Sequence, residues 1–250
     1  MIYSDRGYIG CFEMADKDSG KRKLQQYVDE LIKSGHRRII APINGSTWHT
    51  YRLVSWTDGE PFFLLEPQNP IWYNEVFEDL GFRPLKQYRS DIFSIDNVLP
   101  LESRNTSVSF RGFRADDLEF IYDIATRSFD ENFLYSNITF EDFSRLYQPL
   151  LPMMDNDLAI IAEANGSPAG FLFSFAVGGR LVLKSVAVIP EYRTLGIGSV
   201  LINRAILAGQ KKGVDAAIAA LMADDNYSRS IVSKYNSRKI REYTLYCLEV

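Results

Sequence analysis

The sequence predicts an α/β fold of the α+β kind, a mixed and mostly antiparallel sheet flanked by helices, with a partial copy of the same pattern at its N-terminus. Three observations predict it. From Val108 onward, short β-branched runs and amphipathic stretches follow one another in the order βααβββαβαβ. Two of the runs, Leu158–Ala164 and Ala169–Val177, meet at Asn165-Gly166, a strong hairpin signal. Arg180–Lys212 reads as strand, tight turn, glycine-bearing loop and helix.

Taken in order, Tyr8–Glu13 is expected to be a strand and Ser19–Ser34 a helix. In that helix Leu24, Tyr27, Val28, Leu31 and Ile32 form one stripe closed by Gly35. His36–Ile43 reads as a second strand. Trp48–Trp56 fits strand and helix equally, and Phe62–Leu65 is an apolar run between prolines. Trp72–Leu80 is a short amphipathic helix ended by Gly81, and Lys86–Ile95 a strand. The loop Asp96–Thr106, with Pro100 and many polar residues, is the best boundary and divides the chain into residues 1–105 and 106–250.

Beyond it, Val108–Arg114 is a strand. Asp116–Ser128 is a helix with Leu118, Ile121, Tyr122, Ile124 and Ala125 inward. Thr139–Leu150 is a second helix, capped by Thr139 with Asp142 three residues on. After the hairpin and the Arg180–Lys212 unit come a buried strand Asp215–Leu221, a helix Tyr227–Tyr235 and a last strand Lys239–Leu248.

The unit Arg180–Lys212 carries the chemistry. Arg180–Ile189 is rich in Val, Leu and Ile and stops at Pro190, which has no backbone donor. From Gly198 the pattern turns helical, with Val200, Leu201, Ala205, Ile206 and Leu207 at helix-like spacing. The loop Arg193-Thr194-Leu195-Gly196-Ile197-Gly198-Ser199 therefore lies at a helix N-terminus. Free N–H groups and the positive end of the helix dipole make such a place an anion site. The glycines let the backbone approach a phosphate without a Cβ between, and Arg193 adds a charge-assisted donor. A dinucleotide-binding turn would need a third glycine where Leu201 stands, and a phosphate-binding P-loop would need Gly-Lys-Ser/Thr.

Val186-Ala187-Val188-Ile189-Pro190, then Arg193, Gly196 and Gly198, resemble the acetyl-CoA motif Arg/Gln-x-x-Gly-x-Gly/Ala of the GCN5-related N-acetyltransferases, the GNAT superfamily. The resemblance covers essentially all of Val108–Val250, whose element order is that of the GNAT acyl-CoA N-acyltransferase fold. It implies acetyl-CoA as acyl donor and an amine as acceptor, with transfer of an acetyl group to a primary amine of a small molecule or peptide. It implies pyrophosphate on the amides from Arg193 to Ser199 and the pantetheine arm beside Val186, Ala187 and Val188. Family members usually place Asn, then Tyr, in the helix after the next strand. Asn226 fits the first role, equally well explained as a helix cap after Asp224-Asp225. The usual spacing puts Ser233 where the acid should be. Tyr235 lies two residues further, rotated by about 200° on a helix, and is the candidate general acid. Glu163 and Asp224 are candidate bases with solvated carboxylates as the plainer reading. Phe129–Tyr135 occupies the usual place of the acceptor segment. A CoA-binding or structural GNAT-like protein without transferase activity is the alternative.

The N-terminal part repeats the C-terminal one. Phe82–Tyr88 aligns with Ser237–Tyr243 at an offset of 155 (237 − 82), matching an Arg, a Leu/Ile pair, a Lys/Arg pair and a Tyr. A short helix precedes each copy, and a strand–helix–strand unit precedes that, Tyr8–Ile43 and Leu181–Leu221. In the first copy the loop is Ala15-Asp16-Lys17-Asp18-Ser19-Gly20, whose aspartates would repel a pyrophosphate. This half is therefore expected to be GNAT-like without a cofactor loop. Asn44–His49 with Tyr51-Arg52 is similar to a segment of some two-part GNAT proteins. It reads as a polar turn with aromatic packing or as part of an acceptor pocket.

Composition sets limits. The 250 residues are 46% hydrophobic and 24% charged, and the net charge is −4, which argues against nucleic acid as a partner. Cys11, Cys247, His36 and His49 have no metal-ligand spacing, so no metal is expected. There is no apolar run of membrane-span length and no apolar signal core, so no membrane partner is expected and cytoplasm is the default. A homodimer is left open.

Overall fold

A computed structural model of the chain describes residues 2–3, 6–103, 107–224, 229 and 232–250. The contacts gather into two units. The first comprises Met1–Ser90, Leu221–Asn226 and Lys239–Val250, and the second Asp91–Ala220 and Tyr227–Arg238. Each unit takes in chain from both sides of residue 105. The last strand contributes to this, because two of its partners, at Arg38–Ala41 and Leu53–Thr57, lie among the first 60 residues.

The first unit begins with β1 (Ile2–Tyr3) and β2 (Ile9–Gly10), which pair antiparallel. Then come α1 (Lys17–Lys33), β3 (Arg38–Ala41), β4 (Leu53–Thr57) and α2 (Tyr73–Asp79). The unit also holds the Arg83–Ser90 stretch of β5 (Arg83–Ser94) and nearly all of β11 (Arg238–Glu249). β11 sits between β3 and β5, antiparallel to β3 with Tyr246↔Ala41 and Glu249↔Arg38 in register, and it also pairs antiparallel with β4. Leu24, Val28 and Leu31 of α1 recur on one helix face and pack with Ile9, Ile39, Phe77, Phe82 and Tyr246. The expected strand Tyr8–Glu13 shrinks to two residues, and His36–Ile43 shortens to four and ends before Pro42, which cannot donate. The ambiguous Trp48–Trp56 resolves as strand at Leu53–Thr57, while Phe62–Leu65 is loop.

That loop is held by a buried charge. Arg241 is 1% exposed, and its Nε donates to Glu66 Oε1 at 2.9 Å. Its other nitrogens donate to Thr57 Oγ1 and to the carbonyls of Glu60 and Pro61. The Tyr243 hydroxyl donates to Glu66 as well. A buried arginine is tolerable here because nearly every donor has an acceptor.

The second unit contains β6 (Val108–Gly112), α3 (Leu118–Phe129), α4 (Phe140–Tyr147), β7 (Ile160–Ala164), β8 (Ser167–Val177), β9 (Arg180–Val188), α5 (Ile197–Lys211) and most of β10 (Ala216–Ala223). Its strands are ordered β5–β10–β9–β8–β7–β6. β6 to β9 run antiparallel, and β10 lies parallel to β9 across the α5 crossover. Asn165 and Gly166 take φ of 52° and 78°, the two left-handed residues that a tight hairpin needs. The expected helix Thr139–Leu150 is capped by Thr139 as read, but its α-helical part ends at Tyr147. Gln148–Met153 continues as a 3-10 turn, since Pro149 and Pro152 supply no N–H. Of the helix expected at Tyr227–Tyr235, residues 227, 228, 230 and 231 lie outside the described residues, and its end, Ser233–Tyr235, is a 3-10 turn.

Candidate functional site

The site is built on the last residues of β9. Parallel pairing with β10 runs from Arg180↔Ala216 to Leu183↔Ala219 and stops there. β9 itself continues to Val188, still paired on its other side, with Ser185↔Phe173, Val186↔Leu172, Ala187↔Phe171 and Val188↔Gly170. At the same place the β8 register shifts, Ser174 facing Leu183 and Phe173 facing Ser185, so that Lys184 is an extra residue in a bulge. A bulge bends its strand and adds twist. The bend begins where the partner is lost, and Lys184–Val188 present one backbone edge that β10 does not occupy.

The strand then enters a 3-10 turn, Pro190–Leu195, and Gly196 turns the chain with φ 71° and ψ 12°. A side chain here would be strained whatever the space. α5 starts at Ile197 without any side-chain cap, and the N–H groups of Ser199 and Val200 bond the Gly196 carbonyl. Gly198 faces the strand: a Cβ there would lie 3.8 Å from a methyl of Val188 and 3.9 Å from one of Val186. The fold thus brings Val186, Val188, Gly196, Gly198 and Ser199 together, with Thr194 and Gly196 exposed and Leu195 half-buried on the turn. Ala187 is buried on the opposite face of the strand. An anion fits this surface, since a glycine-headed helix with no capping carboxylate leaves its first amides and dipole unopposed.

Arg193 is arranged otherwise than the sequence suggests. Its Nη2 donates to the Ser128 carbonyl at 3.1 Å, its Nε to the Val188 carbonyl at 3.4 Å, and its Nη1 meets Glu131 at 3.3 Å. It ties the turn to the end of α3. Arg127 does the same from the other side, through Glu191 at 2.6 Å. These pairs are largely exposed and fix geometry more than they stabilise.

On the other face of β9, Ser185 lines an apolar cavity with about 390 Å³ of open space, its mouth included. Phe129, Phe143, Tyr147, Phe171 and Phe173 also line it. Phe129 begins the segment that the sequence places at the acceptor. Tyr147 was not singled out by sequence reading, because nothing in a lone Tyr at a helix end marks it. Burial pushes its phenol up to about 12.

Tyr235 stacks on Phe93 with ring centroids 4.8 Å apart and planes at 22°, and burial raises its pKa. Asn226 lies outside the described residues. Glu163 is engaged by Arg111 Nε at 2.8 Å, and Arg111 also forms two bonds to the buried Asp117. The guanidinium is held well above its ordinary range, chiefly by the bonds to Asp117. Among the described residues no group of three His, Cys, Asp or Glu could hold a metal, and no helix is long and apolar enough to cross a membrane.

The half-open strand and the glycine-headed helix lie within the stretch that comparison with known proteins matches. The model of the Acetyltransferase (GNAT) family matches residues 118–231 of the chain. An uncharacterized N-acetyltransferase of Methanocaldococcus jannaschii is 29% identical over 140 residues, which are 52% of this chain and 60% of that protein. The chain thus spans less than two thirds of that relative. Among solved structures, a GCN5-related N-acetyltransferase from Sphaerobacter thermophilus superposes with a TM-score of 0.62 at 14% identity, covering 91% of this chain and 66% of its own. A tandem GNAT protein from the clavulanic acid biosynthesis pathway gives 0.55 at 13% identity, covering 91% of this chain and 69% of its own. At such identities these structures speak for the fold alone.

Proposed function

We propose that the protein is an acyl-CoA-dependent N-acyltransferase that moves an acetyl group from acetyl-CoA to a primary amine of a small molecule or peptide. The observation that carries this is the open β9 edge at Lys184–Val188 leading into the uncapped helix at Gly196. The amides from Thr194 to Gly198 hold the pyrophosphate, the Ser199 N–H being already taken by the Gly196 carbonyl, and the edge of Val186, Ala187 and Val188 pairs with the amide-bearing arm. Arg193 braces the turn from behind. In the transfer the amine nitrogen attacks the thioester carbon, a C–N bond forms and the C–S bond breaks. The amine proton goes to a base or to water, and the thiolate takes a proton from an acid. A phenol with a raised pKa stays protonated, the state that an acid needs. Tyr235 is one candidate. Tyr147 is the second, since it lines the cavity that Ser185 shares, one residue before Val186.

The N-terminal part, taken as residues 1–105, is a GNAT-like half without a cofactor loop, and residues 106–250 carry the reaction. The protein acts in the cytoplasm, without metal, membrane or nucleic acid. A second reading, CoA binding without transfer, is favoured by the stacking of Tyr235 on Phe93 and the engagement of Glu163. Isothermal titration with acetyl-CoA tests the site, and absence of saturable binding would sink it. Thiol release measured across an amine panel tests the reaction. Release that depends on the amine supports transfer, and acetyl-CoA binding without release above background supports the second reading.

A further inference from the structure

Arg52 is a buried cation that no carboxylate among the described residues pairs with. It belongs to the first unit and is 9% exposed. Its guanidinium carbon lies 4.0 Å from the centroid of the Tyr51 ring and 4.1 Å from that of Tyr88. The two rings stand at 83° to each other and form a corner around it. Nη1 donates to the Leu221 carbonyl at 3.4 Å, and Nε is buried with no acceptor. Among the described residues no carboxylate pairs with it.

Arg241, in the same unit, shows how a structural arginine is buried, with a carboxylate and several oxygens around it. Arg52 has one carbonyl and two ring faces. Ring quadrupoles attract a cation, but they replace its lost hydration only in part. The backbone adds a second observation. Arg52 takes φ 71° and Leu221 φ 58°, both left-handed without being glycine. The hydrogen bond from Arg52 joins these two strained residues. The Leu221 N–H is held in turn by Ser90 Oγ at 2.9 Å, and Ser90 is bonded to the Tyr243 hydroxyl. Strain of this kind persists where surroundings over-determine it, and it gathers at ligand sites.

We propose that Arg52, with Tyr51 and Tyr88, forms a recognition site for the carboxylate of a small organic acid or amino acid. With Nη1 turned to Leu221, the donors that remain are along the Nε–Nη2 edge, which matches the two oxygens of a carboxylate side-on. The site lies within the first unit and is read by binding, so its failure is distinct from failure of the transferase reading.

Isothermal titration of the full chain with three matched probes tests it: L-phenylalanine, 3-phenylpropanoate and 2-phenylethylamine. The two carboxylates bind saturably and the amine alone does not. Arg52→Gln weakens carboxylate binding by at least about tenfold, the value of one charge-assisted bond, while acetyl-CoA binding is kept as the control for folding. Arg52→Lys, with charge but no fork, falls between. Should Arg52→Gln not fold, the Arg52 Nε–H resonance of the wild type decides: a saturable shift with 3-phenylpropanoate supports the site, and none overturns it. Lack of carboxylate binding by the wild type, or equal affinity in Arg52→Gln, also overturns it. A change in acetyl-CoA turnover with a different primary amine on adding 3-phenylpropanoate would identify a free effector.

Discussion

The two units each hold a strand, a helix and a parallel return strand, and they finish the same turn in opposite ways. In the second, β9 loses its β10 partner five residues before its end, and Gly196 heads α5 without a cap. In the first, β2 stays joined to the segment after α1. The Ile43 N–H donates to the Ile9 carbonyl at 2.9 Å, and the Cys11 N–H to Asn44 Oδ1 at 2.7 Å. Gly10 is so close that a Cβ would stand 2.2 Å from the Ile43 carbonyl oxygen. At the head of α1, Asp16 accepts from the Ser19 N–H at 2.9 Å and from its hydroxyl at 2.6 Å. One turn is open and cationic by dipole, and the other is stitched shut and already holds its own anion. A helix N-terminus becomes a ligand site only where the chain has not supplied the anion itself.

The largest effect that would separate the units is Glu66→Ala. It strands the buried Arg241 guanidinium and should cost about 3–5 kcal/mol in urea unfolding. A loss below about 1 kcal/mol would show that the first unit does not depend on this pair. Next comes Gly196→Glu, which puts a carboxylate at the open turn on a left-handed backbone. Acetyl-CoA affinity should fall by about 100-fold or more, ~2.8 kcal/mol, and titration calorimetry reads it; unchanged affinity would erase the contrast between the turns. Gly196→Ala isolates the backbone term, because a Cβ there meets nothing within 4 Å. Thermal unfolding should show about 1–2 kcal/mol lost to left-handed strain.

The smallest effect is at Asp16. Its pKa is lowered from the ordinary 3.8, first by the Ser19 hydroxyl and then by the Ser19 N–H. A carboxylate with a depressed folded value stabilises fully above its unfolded value and loses that contribution as pH falls through the folded one. Asp16→Ala should therefore lower the urea midpoint by a constant amount near neutral pH, and the gap to wild type should close below about 3.8. A gap that persists in strong acid would mean that the cap is not acting as an anion.

Much of this comparison was legible in advance. The turn at Asn165-Gly166, the glycine loop and the 155-residue offset are all local or periodic. β5 and β11 appear as strands of equal length, Arg83–Ser94 and Arg238–Glu249, at that same offset. The α-helical part of Thr139–Leu150 stops at Tyr147, short of the expected end, because Pro149 and Pro152 supply no N–H. The cavity beside Tyr147 could not be read at all, since it exists only where α3, α4 and two strands meet.

What the sequence determined by itself was most of the order of elements, the glycine-bearing turn and the lack of such a turn at Ala15–Gly20, because each is fixed by residues within a few positions of one another. Only the tertiary structure decided that β9 parts from β10 after Leu183, that Arg193 turns back to α3 and that Arg52 is buried beside Leu221. Those facts depend on pairing and burial between residues up to 169 positions apart, which local pattern does not encode.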